Sequence, residues 1–247
     1  STKIVDMKFA FLVAANLVAA APLVNIDFIT EAGCPPCQEA ITGVVNDMVN
    51  ADGVSDIINM AQHPFGNNYY TTSECGGAPY DPDVRHCWAK TCIAAASPAA
   101  DCFTGAVVTQ HGPSEMQVNK MEACAISHTN SWKEYWPFLV CMEANYEESG
   151  VSATQVCAKK TNLDYTALMD CYNGKEGDES LLREAKATID HPGTPSLYIN
   201  GQMLDDINSV LQAVCQAYTG TAPAGCSKVS VQANSTYHSK TNVSSCL

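Results

Sequence analysis

The first regular hydrophobic pattern of the chain lies at residues 24–29. Apolar Val24, Ile26 and Phe28 alternate with polar residues, and this period of two predicts a β-strand with one buried face. The period then changes to that of an amphipathic helix, whose apolar face consists of Ile41, Val44, Val45, Met48 and Val49. A second short strand is predicted at 54–60. This part of the chain therefore reads as a β-α-β unit.

A hairpin followed by a helix is predicted near the other end. The segment 194–204 reads as two strands joined by Asn200-Gly201, and Asn-Gly favours a tight turn because both residues tolerate positive φ. Asp205 or Asp206 can cap the helix that follows, and its apolar face consists of Ile207, Val210, Leu211, Val214 and Cys215. Together the two ends supply β-α-β and β-β-α, the parts of a thioredoxin-like α/β fold.

The long middle segment has a different character. Residues 64–110 are rich in Gly, Pro, Asn and Cys and show no period, so we expect irregular structure fastened by disulfides. Helical stretches are predicted at 115–128, 132–147, 151–160, 164–172 and 178–189. We therefore expect a thioredoxin-like domain formed by residues 24–62 and 190–219, a cysteine-rich and mainly helical insertion at 63–189, and a disulfide-tethered tail at 220–247.

The charge balance argues against a nucleic-acid partner. Lys and Arg number 13 against 26 Asp and Glu, which gives a net charge of −13. No basic stripe is visible that could neutralise phosphates.

The cysteine content indicates an oxidising compartment. The chain of 247 residues contains 13 cysteines, a usage typical of proteins that mature in the secretory pathway. Acceptor tripeptides for N-glycosylation at Asn234 and Asn242 agree with that compartment.

The N-terminal segment has the features of a secretory signal. Residues 7–22 (MKFAFLVAANLVAAAP) combine a lysine, an apolar run and small residues suited to signal peptidase. We therefore predict a signal-type segment at residues 1–23. The alternative is a retained apolar helix at 7–26, which would associate the protein with a membrane.

The sequence CPPC at residues 34–37 carries the candidate chemistry. A strand before it and a helix after it place Cys34 at a helix N-terminus, where free N–H groups and the helix dipole favour a thiolate. Pro36 suits the first helical position because it has no N–H to leave unpaired. Thr194-Pro195 is expected to form a cis peptide bond opposite this pair and to shape a substrate groove. Cys34 is then the nucleophile and Cys37 the resolving cysteine.

Two other interpretations of the CPPC pair are weaker. Zinc would require two more ligands, and the candidates His86, Cys87 and Cys92 show no second CxxC motif. A structural disulfide that closes so short a loop would add little stability. We therefore expect no metal at this pair.

Residues 109–124 (TQHGPSEMQVNKMEAC) resemble the signature of the gamma-interferon-inducible lysosomal thiol reductase family. That signature is Cys-Gln-His-Gly, two residues, Glu-Cys, two residues, Asn, four residues and Cys. Thr109 and Met116 stand where the signature has its first two cysteines. The matching residues are Gln110, His111, Gly112, Glu115, Asn119 and Cys124. We predict a structural role for this set, and segments similar to the family extend over residues 24–247.

The resemblance implies a thioredoxin-fold reductase of the lysosome, the vacuole or the extracellular space. Its substrates would be disulfide-bonded polypeptides, its electron donor a small thiol or a partner reductase, and no metal or organic cofactor is implied. With Cys34 and Cys37 set aside, an odd number of cysteines remains, so one is expected to be free or to form a disulfide-linked dimer. The candidate bridges are Cys157–Cys171 and Cys226–Cys246.

Two alternative functions stay open from the sequence. The chain could be a non-catalytic structural or accessory subunit built on the same scaffold and anchored by its apolar N-terminus. It could also be an oxidase or isomerase, because the direction of thiol-disulfide exchange depends on the redox potential rather than on the presence of the motif.

Overall fold

The computed structural model describes residues 21–227 and residue 246. Residues 1–20 of the predicted signal-type segment and the acceptors Asn234 and Asn242 lie outside the described residues. Within residues 21–227, no helix is both long enough and apolar enough to cross a membrane.

The described residues form short strands and helices, and most of the helices lie between β4 and β5. The strands are β1 (Val24–Ile29), β2 (Ile58–His63), β3 (Tyr69–Tyr70), β4 (Val107–Val108), β5 (Ser196–Ile199) and β6 (Gln202–Met203). The α-helices are α1 (Pro35–Thr42), α2 (Val44–Asn50), α3 (Pro82–Trp88), α4 (Pro113–Ser127), α5 (Trp132–Ala144), α6 (Tyr146–Ser149), α7 (Thr154–Thr161), α8 (Tyr165–Asn173), α9 (Lys175–Ala187) and α10 (Val210–Ala217).

The main sheet has the strand order β2-β1-β5-β6. Strand β1 is parallel to β2 and antiparallel to β5, and β5 and β6 form an antiparallel hairpin. The alternation predicted for β1 is confirmed, because Val24, Ile26 and Phe28 are all buried. One parallel crossover through helices and one antiparallel hairpin make the α/β, thioredoxin-like arrangement that the sequence predicted.

Two predicted elements near β1 differ from the structure. The second strand is β2 rather than residues 54–60, because Gly53 turns the chain with a φ of 72° and Val54–Asp56 form a 3-10 turn. The predicted single helix is divided into α1 and α2 at Gly43, whose φ of −110° and ψ of −109° are not helical. A side chain could not replace this glycine freely, since a Cβ would lie 2.7 Å from the carbonyl oxygen of Glu39.

The predicted hairpin and its following helix are confirmed. Asn200 and Gly201 join β5 to β6 with φ values of 51° and 80°, the backbone conformation that the dipeptide favours. Asp206 caps the next turn by accepting a hydrogen bond of 3.0 Å from the Asn208 N–H. Helix α10 follows.

The helices of the middle segment pack on the sheet and share its core. They correspond to the predicted stretches, except that 132–147 is divided at Asn145, whose φ of −115° and ψ of 8° end α5. The ring centroids of Phe28 on β1 and Trp136 on α5 lie 6.3 Å apart. The aromatic residues of α5 therefore belong to the core, as predicted.

The cysteine-rich segment is less irregular than predicted. It contains β3, β4 and α3, which is followed by a π-helical turn at Ala89–Ile93. Asp81 caps α3 by accepting a 2.8 Å hydrogen bond from the Asp83 N–H, and Pro82 occupies the first helical position. A helix of two turns is too short to show a hydrophobic period, which explains why only its cap could have indicated it.

The cysteine pairing corrects the sequence-based bridges. All thirteen cysteines lie in the described part of the chain, and Cys37 alone is unpaired. The six disulfides are Cys34–Cys246, Cys75–Cys87, Cys92–Cys102, Cys124–Cys171, Cys141–Cys157 and Cys215–Cys226.

Both predicted bridges, Cys157–Cys171 and Cys226–Cys246, are therefore wrong. Packing of α5 against α7 and of α4 against α8 brings other partners within disulfide range, with Cα separations of 5.6 Å and 6.0 Å. The odd cysteine is Cys37, a member of the CPPC pair itself.

Candidate active site

The CPPC motif lies where the chain passes from the central strand to its first helix. After β1 the chain continues through residues 30–33, and Cys34 is the N-cap of α1, with Pro35 as the first helical residue. Gly33 has a φ of 78°, and a Cβ there would lie 2.6 Å from the Tyr146 hydroxyl oxygen. Glycine is therefore required both by the backbone conformation and by the close approach of Tyr146.

The two cysteines of the motif are in different chemical states. Cys34 is bonded to Cys246, whereas Cys37 is a free thiol, and both residues are fully buried. Burial raises the pKa of the Cys37 thiol well above its ordinary value, and the negative charge of Glu31 raises it further. Cys37 is therefore held as a neutral thiol in this state.

Thr194 lies against Cys34, although it is 160 residues away in the chain. The Thr194-Pro195 peptide bond is cis. The hydroxyl oxygen of Thr194 lies 3.8 Å from Cys34 Sγ, and its carbonyl oxygen lies 3.9 Å from the same sulfur. The fold thus brings together the two motifs that the sequence analysis paired.

A buried carboxylate, Glu31, lies beneath these groups. Its oxygens accept hydrogen bonds of 2.6 Å from the Asn67 N–H and 2.9 Å from the Thr194 hydroxyl. The Nε2 atom of His111 lies 3.4 Å from Glu31 Oε1. Gly66 is packed so closely that a Cβ there would lie 2.5 Å from the Glu31 Cβ. Glu31 thus links the cis-proline loop to the segment after β2.

The signature residues surround the same loop. The Asn119 Oδ1 atom on α4 accepts a 2.8 Å hydrogen bond from the buried Ala32 N–H. Glu115 accepts a 2.5 Å hydrogen bond from the His111 N–H. Gln110 Oε1 accepts a 3.0 Å hydrogen bond from the side-chain amide of Asn67.

The two remaining signature residues, Gly112 and Cys124, lie before and within α4. Gly112, with a φ of 88°, leads into α4, and Cys124 joins α4 to α8 through Cys171. Of the signature residues, Asn119 reaches the CPPC loop through its hydrogen bond with Ala32, and the Cβ of His111 packs against Gly33.

Buried acids add to the electrostatics around Cys37. Burial, followed by the charge of Glu31, raises the pKa of Glu115 to about 9. Burial raises the pKa of Glu143 to about 8, and burial together with the nearby Glu143 charge raises the pKa of Glu122. Of these three, Glu143 is the one whose charge raises the pKa of Cys37, and its protonation in an acidic medium removes that charge.

The cysteines considered as zinc ligands are bonded in disulfides. One ligand atom each from Glu31, Cys34, His111 and Cys246 lies within 4.8 Å of the others, but the two sulfurs are bonded to each other. In the segment considered from the sequence, Cys87 and Cys92 are disulfide-bonded. Thiolate ligands are therefore not available at either place in this state.

Sequence reasoning missed three residues of this site. They are Glu31, its hydrogen-bond partner Asn67, and Cys246, the disulfide partner of Cys34. Glu31 follows a strand of alternating burial, and Asn67 closes the segment PFGN, so both had a local signal. Cys246 had none, because its partner depends on where the tail returns in space.

Comparison with known proteins gives consistent matches. Residues 89–161 match the family described as gamma interferon inducible lysosomal thiol reductase (GILT). "Gamma-interferon-responsive lysosomal thiol protein" of Arabidopsis thaliana is 27% identical over 222 residues, covering 85% of this chain and 79% of its own length. "Gamma-interferon-inducible lysosomal thiol reductase" of Carassius auratus is 26% identical over 215 residues, covering 82% of this chain and 72% of its own.

Among solved structures, a putative protein disulfide isomerase from Nitrosomonas europaea has a TM-score of 0.44 at 13% identity. It covers 78% of this chain and 98% of its own. The family match, by contrast, includes the whole signature at residues 109–124, and the relatives cover most of the chain. Over most of its length the chain is similar to proteins named for the gamma interferon inducible lysosomal thiol reductase family, and residues 89–161 match the model of that family.

Proposed function

We propose that the protein reduces disulfide bonds of polypeptides through the dithiol form of Cys34 and Cys37. The observation that carries this proposal is the place of Cys34 at the N-terminus of α1, beside the cis Thr194-Pro195 bond. The free thiol of Cys37 follows within the first turn of the same helix. The names of the relatives describe thiol proteins and thiol reductases.

The reaction runs through a mixed disulfide. In the reduced enzyme the helix N-terminus favours the Cys34 thiolate. The thiolate attacks one sulfur of the substrate disulfide, and the other sulfur leaves as a thiolate that takes up a proton. Cys37 then loses its proton and attacks Cys34 Sγ, which releases the second substrate thiol and forms Cys34–Cys37. The substrate gains two electrons and the enzyme loses two.

The surroundings assign roles to the neighbouring residues. Thr194 and Pro195 form the edge on which the substrate backbone lies, and burial holds Cys37 as a thiol, so its attack on the mixed disulfide requires the loss of a proton. A small thiol or a partner reductase restores the dithiol. The chemistry requires no metal or organic cofactor, because the two sulfurs carry both electrons.

The cellular setting follows from the cysteine usage and the relatives. Their names contain the word lysosomal, and all but one of the thirteen cysteines are paired in this chain. We place the protein in the secretory pathway, with a lysosomal, vacuolar or extracellular destination.

Turnover of a disulfide-bonded protein with a thiol reductant tests this function. After full reduction, Cys34→Ser should abolish turnover at both acidic and neutral pH, and Cys37→Ser should accumulate a covalent enzyme–substrate adduct visible on non-reducing gels. The control is the double variant Cys75→Ala/Cys87→Ala, which removes a disulfide of the cysteine-rich segment and should keep turnover. Equal activity of the wild type and Cys34→Ser would contradict the proposal.

One observation favours the second candidate, a non-catalytic accessory subunit: Cys34 is already bonded to Cys246. A stable stoichiometric complex with another protein, together with no turnover after full reduction, would support that role. Turnover that depends on Cys34 would exclude it.

A further inference from the structure

Cys246 occupies the position in which a substrate cysteine would react. Its sulfur is bonded to Cys34, with a Cα–Cα separation of 6.4 Å. The residue belongs to the C-terminal tail and lies 212 positions beyond Cys34. Cys246 therefore lies at Cys34 although the two residues are far apart in the chain.

The backbone of Cys246 is also held there. The Cys246 N–H donates a 2.7 Å hydrogen bond to the Thr194 carbonyl oxygen, and the Thr194 N–H donates a 3.1 Å hydrogen bond to the Cys246 carbonyl oxygen. The pair forms an antiparallel bridge. The side-chain amide of Asn67 donates a further 3.1 Å hydrogen bond to the Cys246 carbonyl.

This pairing is the recognition mode of an extended peptide on a free backbone edge. Two main-chain hydrogen bonds align the peptide, and one side chain is selected by its chemistry. At this site the selected side chain is a cysteine, because it forms a disulfide with Cys34. Three independent contacts, namely the disulfide, the backbone bridge and the Asn67 amide, place the tail cysteine as a substrate would lie.

We propose that Cys246 is a third redox-active cysteine, which forms a reversible disulfide with Cys34 and occupies the backbone edge of Thr194 as an internal substrate. The proposal rests on the proposed role of Cys34 as the nucleophile. In this oxidised state neither Cys34 nor the backbone edge of Thr194 is available to another polypeptide.

Two exchange reactions can open the Cys34–Cys246 bond. In the first, Cys37 loses a proton and attacks Cys34 Sγ, so that Cys34–Cys37 forms and Cys246 leaves as a thiolate that takes up a proton. This exchange changes no overall oxidation state. It is slow, because burial and the charge of Glu31 keep Cys37 protonated.

In the second reaction, an external thiol supplies the electrons. Its thiolate attacks Cys246 Sγ and releases Cys34 as a thiolate, and a second external thiol then frees Cys246. The external thiols become one disulfide, and the protein gains two thiols. The first exchange therefore releases the Cys34 nucleophile, and the second restores the thiol of Cys246.

Disulfide mapping of the full chain tests the pairing without any assay of activity. Free thiols are alkylated, the protein is digested without reductant, and linked peptides are identified by mass. The wild type should contain a Cys34–Cys246 peptide, and Cys246→Ser should convert it to Cys34–Cys37. Recovery of Cys34–Cys37 from the oxidised wild type, with Cys246 alkylated, would overturn the proposal.

Reduction kinetics test the consequence. Oxidised wild type at limiting thiol reductant should show a lag before substrate turnover while the Cys34–Cys246 bond is reduced. Cys246→Ser, in which Cys34–Cys37 must be reduced instead, should show a lag of different length. The control is Cys215→Ala/Cys226→Ala, which removes the other disulfide of the C-terminal region and should keep the lag. An unchanged lag in Cys246→Ser would overturn the internal-substrate role. A mapped Cys34–Cys246 bond without any turnover after reduction would instead contradict the reductase function and leave the pairing intact.

Discussion

The carboxylate of Glu31 is buried between the cis-proline loop and the segment that follows β2. It accepts hydrogen bonds from both, and its negative charge is the second cause of the high pKa of Cys37. A charge at this depth is tolerated because polar partners replace the lost water. Glu31 therefore stabilises the loop geometry and, at the same time, disfavours ionisation of Cys37.

The buried carboxyl of Glu143 makes stability depend on pH. Its ordinary pKa is 4.5 and its pKa in the folded protein is about 8. Below pH 4.5 the carboxyl is protonated in both the folded and the unfolded state, and the full stability is present. As the pH rises toward 8, the unfolded chain releases this proton first, so the free energy of unfolding falls by up to about 1.4 kcal/mol for each pH unit.

Glu143→Gln should therefore flatten the loss of stability between pH 5 and pH 8. The groups that act on this carboxyl include Glu122, Gln38, Glu147 and Glu31, so part of the slope from Glu122 will remain. Denaturant titrations at pH 5, 6, 7 and 8 measure the effect. The control is Glu148→Gln, which changes an exposed carboxyl near the same helix, and parallel curves for wild type and Glu143→Gln would refute the assignment.

At the scale of elements, α4 positions the loop that carries the CPPC motif. Asn119 reaches from the buried face of α4 to the N–H of Ala32, which precedes Cys34 by two residues. The helix is therefore a support for the active-site loop as well as a part of the core. This explains why a signature in the middle segment bears on a site formed at the two ends of the chain.

Asn119→Ala should lower both stability and turnover. The substitution leaves the buried Ala32 N–H without its acceptor, which costs roughly 1–3 kcal/mol, and it loosens the residues that orient Cys34. Urea denaturation and initial rates after full reduction measure the two effects. Gln117→Ala on the exposed face of α4 is the matched control and should stay within about 0.5 kcal/mol of the wild type. Equal stability of both variants would argue against the support role.

The elements that were predicted correctly are those marked by a short stretch of sequence. The alternation at Val24, Ile26 and Phe28, the Asn200-Gly201 turn and the Asp206 cap all appear as predicted. The division at Gly43 and the short helix α3 were missed. Neither feature changes the hydrophobic period over a window long enough to be recognised.

At the scale of the whole molecule, disulfides fasten the helices to one another around a core that includes the sheet. Cys124–Cys171 links α4 to α8 across 47 positions and is fully buried, whereas Cys75–Cys87 closes 12 positions in the cysteine-rich segment. The longer loop loses more conformational freedom when it is closed in the unfolded chain. The two bonds should therefore differ in their contribution to stability.

Removing the long-range bond should cost more than removing the local one. On loop entropy, Cys124→Ala/Cys171→Ala should lose about 4 kcal/mol and Cys75→Ala/Cys87→Ala about 3 kcal/mol. The buried pair loses packing as well, which widens the difference. Chemical denaturation of both double variants measures it, and the reverse order would contradict this account.

The sequence by itself determined the period of each strand and long helix, the place of CPPC between a strand and a helix, and the thioredoxin-like order of the two ends. These features depend on residues that are neighbours in the chain, because hydrophobic periods, turns and helix caps each involve only a short stretch of sequence. Only the tertiary structure decided which sulfurs meet, that Glu31 connects the loops beneath Cys34, and that Cys246 pairs with Thr194. Disulfide partners must approach within a few ångströms of each other in space. The path by which a tail returns to a site 212 positions earlier depends on the packing of the whole molecule.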